Sequence, residues 1–262
     1  MRTLGLILMT GAGLLAADTK QLSQSEIDDV IQKFAAKEAA FSKARELYTY
    51  RQTSRVLDLD EGGSTVGRWE EVVDIVFTGE GKRTEKVQRA PVSTLKNFFL
   101  GPEDIQDLRD VQPFVLTTTE LPNYFVRYLG HEAVDEIDCH VFAVKPKKME
   151  QGKRYFAGQV WVDDRDLQIV KSYGRGVGVV KRGEDKKFPK FETYREQIDG
   201  KYWFPTYTVA NDTLQFDSGQ NARIRETVKY EDYKQFKATT TITFGDPVEE
   251  AKPAPAPAPA KK

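Results

Sequence analysis

"VWVDDRDLQIV", residues 160–170, places Asp163, Asp164 and Asp166 between two apolar segments. The stretch reads either as a metal or acid/base cluster or as the corner where a strand turns back. A calcium loop needs oxygen ligands on a longer regular spacing, with a glycine and a distal glutamate, and these are missing. Val160 and Val162 alternate before the aspartates, Leu167 and Ile169 follow them, and the polar "DDRD" between is turn-prone. The stretch therefore predicts a β-hairpin.

The same period of two extends in both directions, with turn signals every ten to fifteen residues or so. Before the hairpin come "YTYRQTSRVLDL", "RWEEVVDIVFTG", "KRTEKVQRA", "NYFVRYLG" and "DCHVFAVKP". "RYFAGQVWVD" and "LQIVKSYG" form the hairpin, and "KFETYREQIDG", "KYWFPTYTVA", "ARIRETVKYEDY" and "ATTTITF" follow it. About ten or eleven strands are too many for one flat sheet, so a strongly curved or barrel-like antiparallel sheet is expected. "STLKNFFLGPEDIQDLRDV" interrupts the pattern, with Pro102 near the start of a short helix. The fold class is α+β, mainly β.

A second helix precedes the strands. Ser23 stands three residues before Glu26, the spacing of a capping box. Ile27, Val30, Ile31, Phe34, Glu38 and Phe41 then follow helical spacing, all apolar except Glu38. The helix should run about five or six turns and lay that stripe on the sheet.

The ends read differently from the middle. "MRTLGLILMTGAGLLAAD" has an early Arg2, an apolar run too short to span a bilayer and a small pair, Ala16 and Ala17, the order of a secretory signal. The expected division is a signal peptide over 1–17, a folded domain over 18–246 and a Pro/Ala-rich tail over 247–262. The signal implies a periplasmic or secreted location. With Cys139 as the one cysteine, no internal disulfide can form.

Composition excludes some classes. Thirty-nine Lys and Arg stand against 40 Asp and Glu, a net charge of -1, and no basic footprint for nucleic acid stands out. In "GHEAVDEIDCH" the residues His131, Glu132, Asp135, Asp138, Cys139 and His140 are of metal-binding type, but the spacing matches neither HExxH nor paired CxxC. There is no GxSxG elbow, and "GRGVG" at 174–178 lacks a following helix to present amides to a phosphate. No catalytic residue, metal ligand or cofactor is assigned, and an enzyme is not expected. Lys145, Lys147 and Lys148 flank Pro146, a solvated run or a docking point for acidic partners or anionic head groups.

Three segments carry a family resemblance: "GHEAVDEIDCHVFAVKPKK", "FAGQVWVDDRDLQIVK" and "YREQIDGKYWFPTY". Gly130, Glu132, Val134, Asp135, Cys139, Val141 and Pro146 carry the first; Gly158, Trp161, Val162, Asp163 and Ile169 the second; Tyr194, Asp199, Gly200, Trp203 and Pro205 the third. Together they resemble the periplasmic LolA-like lipoprotein-carrier superfamily over roughly the second half of the chain. The resemblance implies an unclosed β-barrel, lidded by an N-terminal helix and a short helical segment, around an apolar cavity. The implied ligand is a lipid or the acyl chain of a lipoprotein, with a transient membrane or envelope-protein partner. The carriers' arginine-proline strand start is absent from "GRWEEVVDIVFTGEGKRTEKVQRAP", so no lid-latching arginine is assigned.

On that reading the lid pieces are Ile27, Val30, Ile31 and Phe34 together with Phe98, Phe99, Ile105 and Leu108. The concave wall is Trp69, Val73, Ile75, Phe77, Val160 and Val162. Each methylene moved from water into such a cavity gains about 0.8 kcal/mol. The alternative is a non-catalytic interaction module of an envelope assembly, its core filled by its own side chains.

Overall fold

The structure, a computed structural model, describes residues 22–78, 81–179, 189–216 and 218–236. The expected signal peptide, the strand "ATTTITF" and the Pro/Ala tail lie outside the described residues.

Helix α1 spans Gln24–Arg45 and starts as its sequence requires. The Ser23 hydroxyl accepts from the Glu26 amide at 3.3 Å, and the Glu26 carboxylate accepts from the Ser23 amide at 2.8 Å. This reciprocal pair satisfies two of the amides that a helix start leaves open. The helix buries Phe34, Ala35, Glu38 and Phe41, and two residues later the chain enters the first strand.

Ten antiparallel strands follow: β1 (Tyr48–Leu59), β2 (Thr65–Phe77), β3 (Arg83–Ser93), β4 (Tyr124–Val134), β5 (Ile137–Pro146), β6 (Arg154–Asp163), β7 (Ile169–Gly178), β8 (Phe191–Ile198), β9 (Tyr202–Gln215) and β10 (Asn221–Gln235). They form one sheet in the order β3-β2-β1-β10-β9-β8-β7-β6-β5-β4. Strands β4 to β10 are a simple meander, and β10 joins it to β1, with Tyr48 opposite Gln235. Strands β3 and β4 are the two edges, so the sheet is not closed.

Between the edges, residues 94–123 cross one face. This crossover holds a short helix α2 (Pro102–Gln106), a π-helical turn (Asp107–Val111) and a 3-10 turn (Leu121–Asn123). Its start is clamped by the buried Asp58 carboxylate, which accepts from the Lys96 and Asn97 amides, each at 2.9 Å. Further on, Arg109 reaches Glu85 of β3 at 2.9 Å, while Asp107 accepts from Arg154 of β6 at 2.8 Å. Strands β3 and β6 stand first and eighth in the order. In a flat sheet seven spacings would separate them by about 33 Å. One helical turn cannot bridge that distance, so the sheet must curl around the crossover.

Close approach is helped at one point by Gly176 of β7: a Cβ there would collide with the Asp107 carboxylate. Within "GRGVG", a part of strand β7, Gly176 therefore accommodates the crossover, whereas Gly174 makes room for the Phe156 ring of β6. Two apolar clusters lie under the helix and crossover, one centred on Phe34, Phe142 and Phe156, the other on Val56, Trp69 and Ile75. A smaller cluster of Cys139, Val141, Trp161 and Val170 lies on the opposite, convex face.

The opening hairpin is as its pattern predicts. Asp163 ends β6 and folds its carboxylate back to accept from the Arg165 amide at 2.8 Å. Asp166 accepts from the Trp203 indole at 3.2 Å, and Asp164 lies 3.4 Å from His131. The three aspartates point to three different partners, which is how a turn disperses its charge.

Candidate functional site

The covered face of the sheet is apolar because alternate residues of each strand point to it. Val160 and Val162 of β6 are fully buried in the first cluster. Trp69, Val73 and Ile75 of β2 are buried in the second, and Phe77 packs at its margin. All six residues expected on the wall thus share one face, although β2 and β6 contribute to separate clusters.

The covering elements divide in the same way. Phe34 is buried over Phe142, with ring centres 5.3 Å apart, and Ile27, Val30 and Ile31 pack half-buried beside it. Phe98 and Leu108 of the crossover are buried over the second cluster, with Ile105 half-buried there. Phe99 departs from the expectation. It is 72% exposed, because neighbouring residues in an extended segment face opposite ways and Phe98 takes the inward place.

Among the described residues, the space under α1 and the crossover is not the expected open cavity. Phe114 stacks on Phe156 with centres 4.5 Å apart, and rings of this kind fill the space beneath α1. The void under the crossover is about 20 Å³, lined by Val56, Leu108 and Ile224 with the polar Gln112 and Glu226. Such a space holds a water molecule. It does not hold a hydrocarbon chain.

Several polar groups are buried with this core, among them Gln52, Ser54, Thr193 and Thr208. Glu38, the one charged member of the helix stripe, is completely buried and bonds to Arg195 of β8 at 3.1 and 3.2 Å. It also accepts from the Ile169 amide at 3.1 Å. Arg195 donates in addition to the Phe114 carbonyl and lies over the Phe41 ring at 5.0 Å. One arginine thereby ties α1, the crossover and the sheet together. Burial pushes the Glu38 carboxyl up despite the guanidinium beside it.

Two more acids are buried at the crossover, Glu226 of β10 beneath it and Asp107 within it. Burial raises Glu226 to about 7 against the amide that Gln112 donates to it. Burial likewise raises Asp107 to about 6, with Arg154 opposing the shift. Gln112 is itself anchored, its carbonyl accepting from Thr193 at 2.9 Å.

Glu226, Asp107 and Arg195 were not singled out in the sequence. Glu226 and Arg195 stand on strands whose alternation places charged residues at inward positions, which is a signal only once the covered face is known. Glu38 was visible as the charged break in an apolar stripe.

The histidine segment is strand pairing. His131 and His140 face each other across β4 and β5 with ring centres 5.3 Å apart. Among the described residues no group of three acidic, cysteine or histidine side chains is placed to hold a metal ion. Nor is any helix among them long and apolar enough to cross a membrane. Cys139 is buried, and its thiol is pushed up to about 12 by burial first and by Asp163 next.

Compared with known proteins, the chain matches no family model and no curated sequence. Among solved structures it is similar to a DUF1329 family protein from Desulfovibrio piger, at 15% identity over 82% of this chain and 95% of that one, with a TM-score of 0.42. It is also similar to MucB, at 14% identity over 79% of this chain and 93% of that one, with a TM-score of 0.26. At these scores neither likeness says what this chain binds.

Proposed function

We propose that the protein is a non-enzymatic binder of a lipid or acyl chain, described here in its closed state, and that α1 is the element that yields. The observation that carries this reading is the division of the cover. The buried half of α1, from Phe34 to Phe41, is pinned by Arg195, while Ile27, Val30 and Ile31 in the other half rest half-buried on an apolar wall. An acyl chain would take the place of those side chains on Val160, Val162 and Phe142, trading one set of apolar contacts for another. Such an exchange needs little net energy and no reactive group. The sequence resemblance to lipoprotein carriers points the same way.

A second reading is favoured by the filled interior: a structural or interaction module that takes no guest. Titration of the purified full chain with a fluorescent fatty acid separates the two. Saturable binding, weakened by Val160→Trp, which fills the wall, supports the carrier. Absence of saturable binding, with no fatty-acyl species extracted from the purified protein, leaves the filled module.

A further inference from the structure

The convex face beside edge strand β4 combines exposed apolar side chains with unbalanced positive charge, in a chain whose net charge is only -1. Phe125 is 53% exposed, Leu129 39% and Met149, in the β5–β6 loop, 43%. Arg127 lies between Phe125 and Leu129 on the same face of β4 and is also exposed. Lys145, directly across from Phe125, holds its ammonium 5.5 Å from the ring centre, and Lys147 reaches the same ring at 5.6 Å.

The adjoining surface continues the pattern. An open cleft of about 460 Å³ lies between the start of β4 and the β5–β6 loop, lined by Lys147, Lys148 and Lys153 with Glu120 and Glu150. Lys153 is matched by Glu150 at 2.7 Å, and the Arg154 beside them is matched by Asp107. Lys147 donates to the Pro122 carbonyl at 2.8 Å, a bond that leaves its charge uncompensated. Within the cleft Lys147 and Lys148 add positive charge beyond these matched pairs, with Glu120 as the further acid, and Arg127 and Lys145 add two more cations on the adjoining face of β4 and β5.

We infer that this face, centred on Phe125 and Lys145, docks the protein on an anionic lipid surface. An aromatic ring that already packs beneath ammonium groups matches a membrane interface. There the ring enters the head-group boundary and the long lysine stems keep their charges among phosphates. Each lysine near such a surface contributes about 1 kcal/mol and loses it to screening. A purely acidic polypeptide would satisfy the lysines but would leave Phe125, Leu129 and Met149 without a partner. The inference is independent of whether the interior takes a guest, since the convex face is on the other side of the sheet.

The test is cosedimentation of the full chain with vesicles of phosphatidylcholine alone and of phosphatidylcholine mixed with phosphatidylglycerol. Binding to the mixed vesicles is expected, with little to the neutral ones and a steep loss as salt rises. K145E/K148E should weaken that binding about twentyfold or more. Phe125→Ser should weaken it at every salt concentration without changing the salt dependence. All three positions are exposed, so these variants should fold, and fatty-acid binding in the absence of vesicles should be unaltered in each. Equal binding to neutral vesicles, binding indifferent to K145E/K148E, or no binding to either vesicle would overturn the inference. In the last case a capture assay with polyglutamate that depended on the same lysines would assign the face to an acidic protein.

Discussion

Glu38 and Arg195 make a buried pair whose separate halves matter more than their sum. Removing one partner leaves an unmatched charge in an apolar core, so Glu38→Ala or Arg195→Ala should each cost about 3–5 kcal/mol in urea denaturation. Replacing both together, as E38L/R195M, should come much closer to the parent, because matched apolar side chains remove the desolvation cost. Glu226 gives a pH test. Its folded value of about 7 lies above the ordinary glutamate range, so the folded state holds a proton that the unfolded chain releases. That contribution is complete below the unfolded value, near pH 4.5, and is lost as pH rises through about 7. Glu226→Gln should flatten the decline between those limits and raise stability at pH 8 by up to about 3 kcal/mol. Thermal melts across that range would show both. Asp107, with its value raised to about 6, adds a smaller decline of the same sign. Asp58 works by acceptance alone: Asp58→Ala strands the Lys96 and Asn97 amides and should cost about 3 kcal/mol.

Among the elements, α1 is the one whose removal has the clearest consequence. Phe34→Ala deletes a ring at the centre of the larger cluster and should destabilise by about 3–5 kcal/mol, with uptake of an apolar dye as its second readout. The reason such elements were legible in advance is periodic. Ser23 and Glu26 marked the helix start, and the expected segment "RYFAGQVWVD" coincides with β6 at Arg154–Asp163. The crossover was harder to read. "STLKNFFLGPEDIQDLRDV" showed a break and a proline, but its path over the sheet depends on Asp58, Arg154 and Gly176, which are up to 118 residues away from Asp58 in the chain and meet only in the curled sheet. Phe98 and Phe99 look equivalent in sequence, and only the path of the loop separates the buried ring from the exposed one. The same limit applies to the interior. Alternation names the residues that share a face, whereas whether that face encloses a void is decided by how far Phe34, Phe114 and Phe156 reach into it.

At the scale of the molecule, the single sheet predicts one cooperative unfolding step, since one apolar cluster draws on β4 to β9, the other on β1, β2, β9 and β10, and β9 serves both. Its strand order also joins distant parts of the chain, with Leu59 of β1 opposite Arg223 of β10. Refolding should accordingly be slow, in the range of milliseconds to seconds or longer by stopped-flow fluorescence, as expected where pairings are non-local. The pairing of β1 with β10 has a consequence for synthesis. A ribosome delivers Asn221–Gln235 after every other described strand, and until then β3-β2-β1 and the remaining meander are two fragments with no described strand bonded between them. A nascent chain stalled before that point would expose two raw edges where the finished protein has a seam, and would depend on a chaperone to keep neighbouring polypeptides off them.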